Sequence, residues 1–263
     1  MEPTPAPTDP APTESVPRGS ALVTGASRGL GAAIARRLAA DGWPVAVNHP
    51  ADAAEDARRV VAGIRRAGGT AEAFAADATD EAEVGDLVAR AAARLAPVEV
   101  LVANATGPQP FVAVEDLTWQ DHLDQLVFFV KSPTLLVRAV LPGMKARGRG
   151  RVVQIGSDIA DRALPATSAY AAAKAAQFGL TRVWSRELGR HGITVNLVAP
   201  GWIPVERHAG VPAAEHAAYR AATPMGRAGT PGDVAAAVSY LASDAAGFVT
   251  GERITVNGGH TLA

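Results

Sequence analysis

LVTGASRGLG, residues Leu22–Gly31, is the stretch whose reading decides the fold. Its three glycines, Gly25, Gly29 and Gly31, separate a short apolar run from Ile34, Ala35 and Leu38, which recur at helical spacing. The pattern is strand, tight turn, helix. Glycine lets the backbone reverse, approach a phosphate closely and lay the helix back on its strand. The helix N-terminus then offers unpaired N–H groups and a partial positive charge to that phosphate. Alone, such a triplet serves equally well as an ordinary strand–helix turn.

Before this turn, the first nineteen residues carry six prolines and no apolar core, and residues 1–19 are expected to be a Pro-rich disordered tail rather than a signal peptide. The full chain has 263 residues and is 48% hydrophobic, enough for one α/β domain over 20–263. Its formal charge of −1, with both signs interspersed, gives no footprint for nucleic acid or an anionic membrane. No run is expected to reach the ~20 apolar residues that a membrane span needs. The absence of cysteine excludes disulfides and thiolate metal sites and suits a cytoplasmic location.

Beyond the turn, strand and helix patterns alternate. A helix to about residue 40 leads to a strand at 44–48, a helix at 53–67, a strand at 71–75, a helix at 81–94 and a strand at 98–103. A long helix at 119–145, strands at 151–155 and 193–198, a lid at 202–224 without clean periodicity, a helix at 232–241 and a strand at 253–256 complete the chain. The alternation predicts a doubly wound, single-domain Rossmann fold, a parallel sheet of about seven strands with helices on both faces.

Cofactor choice is read at the end of the second strand. An acidic residue there would bind a ribose 2′-hydroxyl, whereas a nearby Arg suits a 2′-phosphate. The strand ends Asn48-His49-Pro50 with no carboxylate before Asp52, and Arg28 sits in the glycine turn, so NADP(H) is preferred and NAD(H) stays open. Arg28 reads equally as a solvated turn residue. Asp77 is placed for an adenine amino group, and Thr79 or Asp80 for a helix N-cap. Ser157 follows the fifth strand, and Tyr170 and Lys174 stand four apart in SAYAAAKAA, on one face of a helix. Taken singly, each is an ordinary cap or packing residue.

Together these segments resemble the short-chain dehydrogenase/reductase family over residues 20–263, in its 3-oxoacyl-[acyl-carrier-protein] reductase-like branch. The resemblance rests on TGASRGLG at Thr24–Gly31, the Asp77 region, Ala103-Asn104-Ala105, Ser157, YAAAK at Tyr170–Lys174, Asn196 and Pro200-Gly201. It implies that Ser157, Tyr170 and Lys174 are catalytic. It also implies a cofactor site of Gly25, Ser27, Arg28, Gly29, Leu30, Gly31, His49, Asp77, Ala78, Asn104, Ala105, Tyr170, Lys174, Pro200, Gly201 and Ile203. Trp202 and His208 are candidates for substrate contact, with His216, Tyr219 and Met225 nearby; no metal site is expected. The implied reaction moves a hydride between a nicotinamide and a ketone or secondary alcohol of 3-oxoacyl, cyclic or aromatic type, the substrate in some cases linked to a carrier protein or CoA. A homodimer or homotetramer is implied as well.

Three positions depart from the family pattern. Thr106 replaces a glycine, Val205 a Thr that binds the carboxamide, and Phe129 falls where the active-site Asn belongs. Pro133 lacks the N–H that would pair with the Phe129 carbonyl, so a local helix distortion is expected there, leaving an acceptor for a proton relay. A non-catalytic nucleotide-binding homologue and a Rossmann-fold epimerase or dehydratase are the alternative functions.

Overall fold

The computed structural model describes residues 18–262, so the reading of the Pro-rich segment falls, but for Arg18 and Gly19, outside the described residues. Those two are packed: Gly19 N–H donates to Glu99 Oε2 at 2.8 Å, and the Arg18 guanidinium lies 3.9 Å over the Trp43 ring. The chain runs β1 (Ser20–Val23), α1 (Gly29–Ala40), β2 (Val45–His49), α2 (Ala54–Arg66), β3 (Ala71–Ala75), α3 (Glu81–Arg94) and β4 (Val98–Ala103). There follow α4 (Trp119–Leu126), a π-helical segment (Val127–Lys131), α5 (Ser132–Arg147), β5 (Gly150–Ile155), α6 (Ile159–Arg162) and α7 (Ser168–Leu188). The chain closes with β6 (Ile193–Pro200), α8 (Ala213–Ala222), α9 (Pro231–Ala242) and β7 (Arg253–Val256).

Among the described residues the strands form one seven-stranded sheet in the order β3-β2-β1-β4-β5-β6-β7, every pair parallel. β1, β2, β4, β5 and β6 are buried along their whole length, because a parallel sheet is covered on both faces. Val23, Val47 and Val102 pack on one face against Ile34 and Leu38 of α1 and Val234 and Val238 of α9. Leu22, Leu101 and Val152 pack on the other against Leu87 of α3 and Leu136, Val140 and Met144 of α5. The strand order reverses between β1 and β4, where open α/β sheets bind ligands beyond the carboxyl ends of their strands.

The structure corrects the sequence reading at several ends. β2 starts at Val45, since Pro44 has no N–H and contributes only its carbonyl, to Ala21 N–H at 2.8 Å. β6 runs on to Pro200 because β7 pairs beside it. The lid contains α8, whose Ala-rich sequence lacks the apolar stripe that announces a helix. The long helix is divided at 127–131. Contrary to the membrane reading, the helical stretch Trp119–Arg147 is by length and composition alone long and apolar enough to cross a bilayer, with a mean hydropathy of 1.4 in its most apolar window. Here Leu135, Leu136, Val137, Val140 and Met144 from this stretch pack into the core with residues of β4 and β5.

Candidate active site

The glycine turn closes onto β4. Gly25 and Gly29 have φ of +59° and +55°, conformations that side chains disfavour, and a Cβ on Gly31 would stand 2.3 Å from the Gly25 carbonyl oxygen. Thr24 is the pin: its hydroxyl oxygen accepts the N–H groups of Asn104 and Ala105, both at 3.0 Å. Asn104 returns its side-chain amide to the Thr24 carbonyl at 2.8 Å. Arg28, in extended conformation, is the N-cap of α1 with no side-chain cap, and the first backward bond is Ala32 N–H to the Arg28 carbonyl at 3.2 Å. The N–H groups of Gly29, Leu30 and Gly31 therefore open the helix toward the turn, as an anion site requires. Ser27 is buried in that turn.

Asn48 fixes the next wall. Its side-chain amide donates to the Ala76 carbonyl at 3.0 Å and its oxygen accepts Gly25 N–H at 3.4 Å, tying β2, β3 and the glycine turn together. His49 ends β2, buried, and its ring Nδ1 lies 2.8 Å from the Pro50 carbonyl, which can only accept. Asp77 Oδ1 accepts both the N–H (2.8 Å) and the hydroxyl (2.7 Å) of Thr79, so its carboxylate shapes the turn; Ala78 is buried beside it. Asp80 is the N-cap of α3, accepting Glu83 N–H at 2.9 Å. Thr106 needs no glycine, since its φ is not positive; its hydroxyl accepts from the Gln109 amide at 2.8 Å.

On the other side of the switch, Ser157 follows β5, and its hydroxyl oxygen accepts Ile159 N–H at 3.1 Å. Tyr170 and Lys174 lie one turn apart on α7. The buried Lys174 ammonium donates to the Ile155 carbonyl at 2.7 Å, which brings it against the end of β5 two residues before Ser157, and to Gln177 Oε1 at 3.0 Å. Phe129 is buried against both: its ring lies edge-on to Tyr170 at 5.4 Å, and Lys174 Nζ stands 3.7 Å from its centroid. The π segment carries Phe129 there, with Ser132 N–H bonding the Val127 carbonyl five residues back.

Pro200 ends β6, Gly201 N–H donates to the Val256 carbonyl at 3.0 Å, and Ile203 is buried in the core. Val205 and Glu206 fold back over Gly29, where an added Cβ would stand 3.6 Å and 3.4 Å from them. Trp202 is walled by rings: it stacks on His216 at 4.5 Å and meets Tyr219 edge-on at 5.3 Å and His208 at 6.0 Å. His208 Nδ1 accepts Val205 N–H at 3.1 Å, so it shapes the lid turn. Met225, by contrast, is exposed. Burial pushes the Asp158 carboxyl, next to Ser157, above its ordinary value, although the Asn257 amide donates to it at 3.2 Å. Burial likewise raises the Tyr219 phenol, whose oxygen accepts Trp202 N–H at 2.9 Å.

This constellation, a glycine-turn helix start and a Ser, Tyr, Lys set at the carboxyl edge of one parallel sheet, coincides with a family match. The family model described as enoyl-(acyl carrier protein) reductase matches residues 25–261. The chain is a short-chain dehydrogenase/reductase. The family relatives include cis-4-hydroxycyclohexanecarboxylate dehydrogenase of Sinomonas cyclohexanicum, 38% identical over 92% of this chain and 96% of that protein. The crystal structure of a 3-oxoacyl (acyl-carrier-protein) reductase from Agrobacterium tumefaciens C58 with NADP bound is 38% identical, with a TM-score of 0.83 over 92% of this chain and 93% of that one. A gluconate 5-dehydrogenase from Burkholderia cenocepacia J2315, in complex with NADP and tartrate, is 31% identical with a TM-score of 0.86 over 93% and 96%. This short-chain dehydrogenase/reductase is accordingly an NAD(P)-dependent oxidoreductase acting on alcohols and ketones. Thr24, Asn48 and Gln177 are the residues the sequence reading left out of its site; the only signal was a polar side chain at the end of an apolar strand or inside an apolar helix face.

Proposed function

We propose that the chain is an NADPH-preferring ketone reductase and secondary-alcohol dehydrogenase with Tyr170 as its general acid and base. The observation that carries the reading is Lys174 bonded to the end of β5 beside Ser157, one helical turn from Tyr170, across the sheet switch from the α1 N-terminus. The turn fits a dinucleotide: Gly25 and Gly29 take left-handed backbone, Gly31 lets the helix start close onto the Gly25 carbonyl, and Arg28 at the helix entrance with no carboxylate on β2 favours a 2′-phosphate. Ala78, Asn104, Ala105, Gly201 and Ile203 would line the remaining walls. When bound, NADPH supplies the hydride.

Ser157 then hydrogen-bonds the carbonyl oxygen as charge grows on it, and the Tyr170 hydroxyl delivers the proton to that oxygen. A neighbouring ammonium favours a phenolate, and Lys174, one helical turn from Tyr170, is placed to favour the one left behind. The aromatic wall of Trp202, His216 and Tyr219 supports a cyclic or aromatic ketone, with a carrier- or CoA-linked 3-oxoacyl chain as the neighbouring class. Assembly as a dimer or tetramer follows from the family resemblance, and analytical ultracentrifugation tests it. A cytoplasmic location fits the cysteine-free chain.

The test follows NADPH and NADH oxidation against cyclic, aromatic and 3-oxoacyl thioester ketones. Turnover is expected to fall at least about 10²-fold in Tyr170→Phe while NADPH still binds. Unchanged turnover in that variant would remove Tyr170 from the reaction. A catalytically silent homologue is the second reading, favoured by Phe129 and Val205 standing where the family carries hydrogen-bonding side chains; NADPH binding without turnover on any ketone would support it.

A further inference from the structure

We infer that Phe129 is a positioning residue whose ring face, together with Gln177, holds the Lys174 ammonium in place beside Tyr170. This rests on the reductase reading of that site.

Three groups converge on Nζ: the Ile155 carbonyl at 2.7 Å, Gln177 Oε1 at 3.0 Å and the face of Phe129 at 3.7 Å from its centroid. Two are oxygen acceptors on α7 and β5; the third is an aromatic quadrupole, negative over its face and suited to a desolvated cation. Phe129 is 2% exposed and Lys174 7%, so water screens the contact little. The same ring meets Tyr170 edge-on at 5.4 Å, while Nζ lies 5.8 Å from the Tyr170 ring centroid. One ring thus touches both the ammonium and the phenol ring.

Gln177 is oriented from behind. An ammonium only donates, so Gln177 must present Oε1 to it and turn its amide inward. That amide donates to Gln154 Oε1 at 3.5 Å, and the Gln154 amide donates to Thr181 Oγ1 at 2.8 Å and to the Gln177 carbonyl at 3.3 Å. Gln154, Gln177 and Thr181 are all buried, a polar ladder inside a helix–sheet interface that a packing role alone would fill with apolar side chains. The π segment completes the device. Its hydrogen bond spanning five residues, Ser132 N–H to the Val127 carbonyl, widens the turn that carries Phe129 against Lys174, and Pro133 stands second in the helix that follows.

The test replaces Phe129 by mono-, di- and trifluorophenylalanine, which keep its shape and drain its ring face, with Phe129→Leu as the apolar control. The first readout needs no turnover: the ammonium protons of ¹⁵N-labelled Lys174, assigned by their loss in Lys174→Met, are expected to be shifted upfield by the ring current and to return to the ordinary lysine position in Phe129→Leu. The second is kcat, expected to fall stepwise by about tenfold across the fluorinated series with the ketone KM within about twofold. Melting temperatures verify that the fluorinated proteins stay folded. An ammonium signal without the ring-current shift overturns the inference, and so does a kcat indifferent to fluorination in an active enzyme. Retained turnover in Tyr170→Phe with the shift present would instead overturn the reductase reading alone.

Discussion

At the residue scale, the side chains nearest the chemistry are buried polar groups whose charge is governed by what surrounds them. Asp158, adjacent to Ser157, is 1% exposed, and desolvation raises its carboxyl from the ordinary 3.8. A carboxyl raised in the folded state contributes stability that is complete below its unfolded value and lost as pH climbs through its folded value. At neutral pH its charge is therefore a cost. Asp158→Asn keeps an oxygen for the Asn257 amide and is expected to raise the melting temperature by a few degrees at neutral pH. Melting curves should show that gain shrinking toward zero by about pH 3, where the native carboxyl is protonated as well.

At the element scale, α9 begins with a complete capping box: Asp233 N–H donates to Thr230 Oγ1 at 3.2 Å, and Thr230 N–H returns to Asp233 Oδ2 at 2.7 Å. Arg227 grips the same carboxylate at 2.8 and 2.9 Å, and its hydrogen bonds, ahead of those from Thr230, hold Asp233 far below the usual carboxylate range. α9 covers the sheet face shared with α1, the helix that opens the cofactor site, and Ser239 on it bonds Asp41 at 2.6 Å. Asp233→Ala is expected to cost about 1–2 kcal/mol in urea unfolding at neutral pH. Because the folded value is depressed, that difference should persist above about pH 4 and close as pH falls through the lowered value.

At the scale of the whole molecule, function and cohesion occupy opposite edges of the sheet. The carboxyl ends of the strands carry the site, while near the amino end of β4 the buried Glu99 gathers Gly19 N–H, Arg147 at 2.9 Å and Arg149, which reaches on to Asp244. This cluster joins the start of β1, the end of α5 and the segment after α9. Glu99→Ala removes the carboxylate that the partly buried Arg147 and Arg149 share and is expected to cost about 1.5–3 kcal/mol, read by denaturant unfolding. NADPH affinity and kcat measured on the folded fraction should stay unchanged, because the cluster lies at the other end of the strands.

Periodicity and glycine placement determined most of this architecture locally. β3, α3, β4 and β7 have the bounds that apolar runs and caps predict, since each run is set by its own residues and neighbours. The glycine turn was legible for the same reason, whereas Ser157, Tyr170 and Lys174 became candidates only together, through the family resemblance. Contacts between segments distant in sequence were not. That Thr24 pins Asn104, that Asn48 ties three elements together, that Gln177 faces Lys174 across from Phe129 and that Ala-rich α8 forms over Trp202 follow from side chains meeting in space. The sequence by itself determined which strands and turns form. Only tertiary packing decided which polar groups share the buried space between them, because desolvated hydrogen bonds and ring contacts take their strength from partners that the chain order does not reveal.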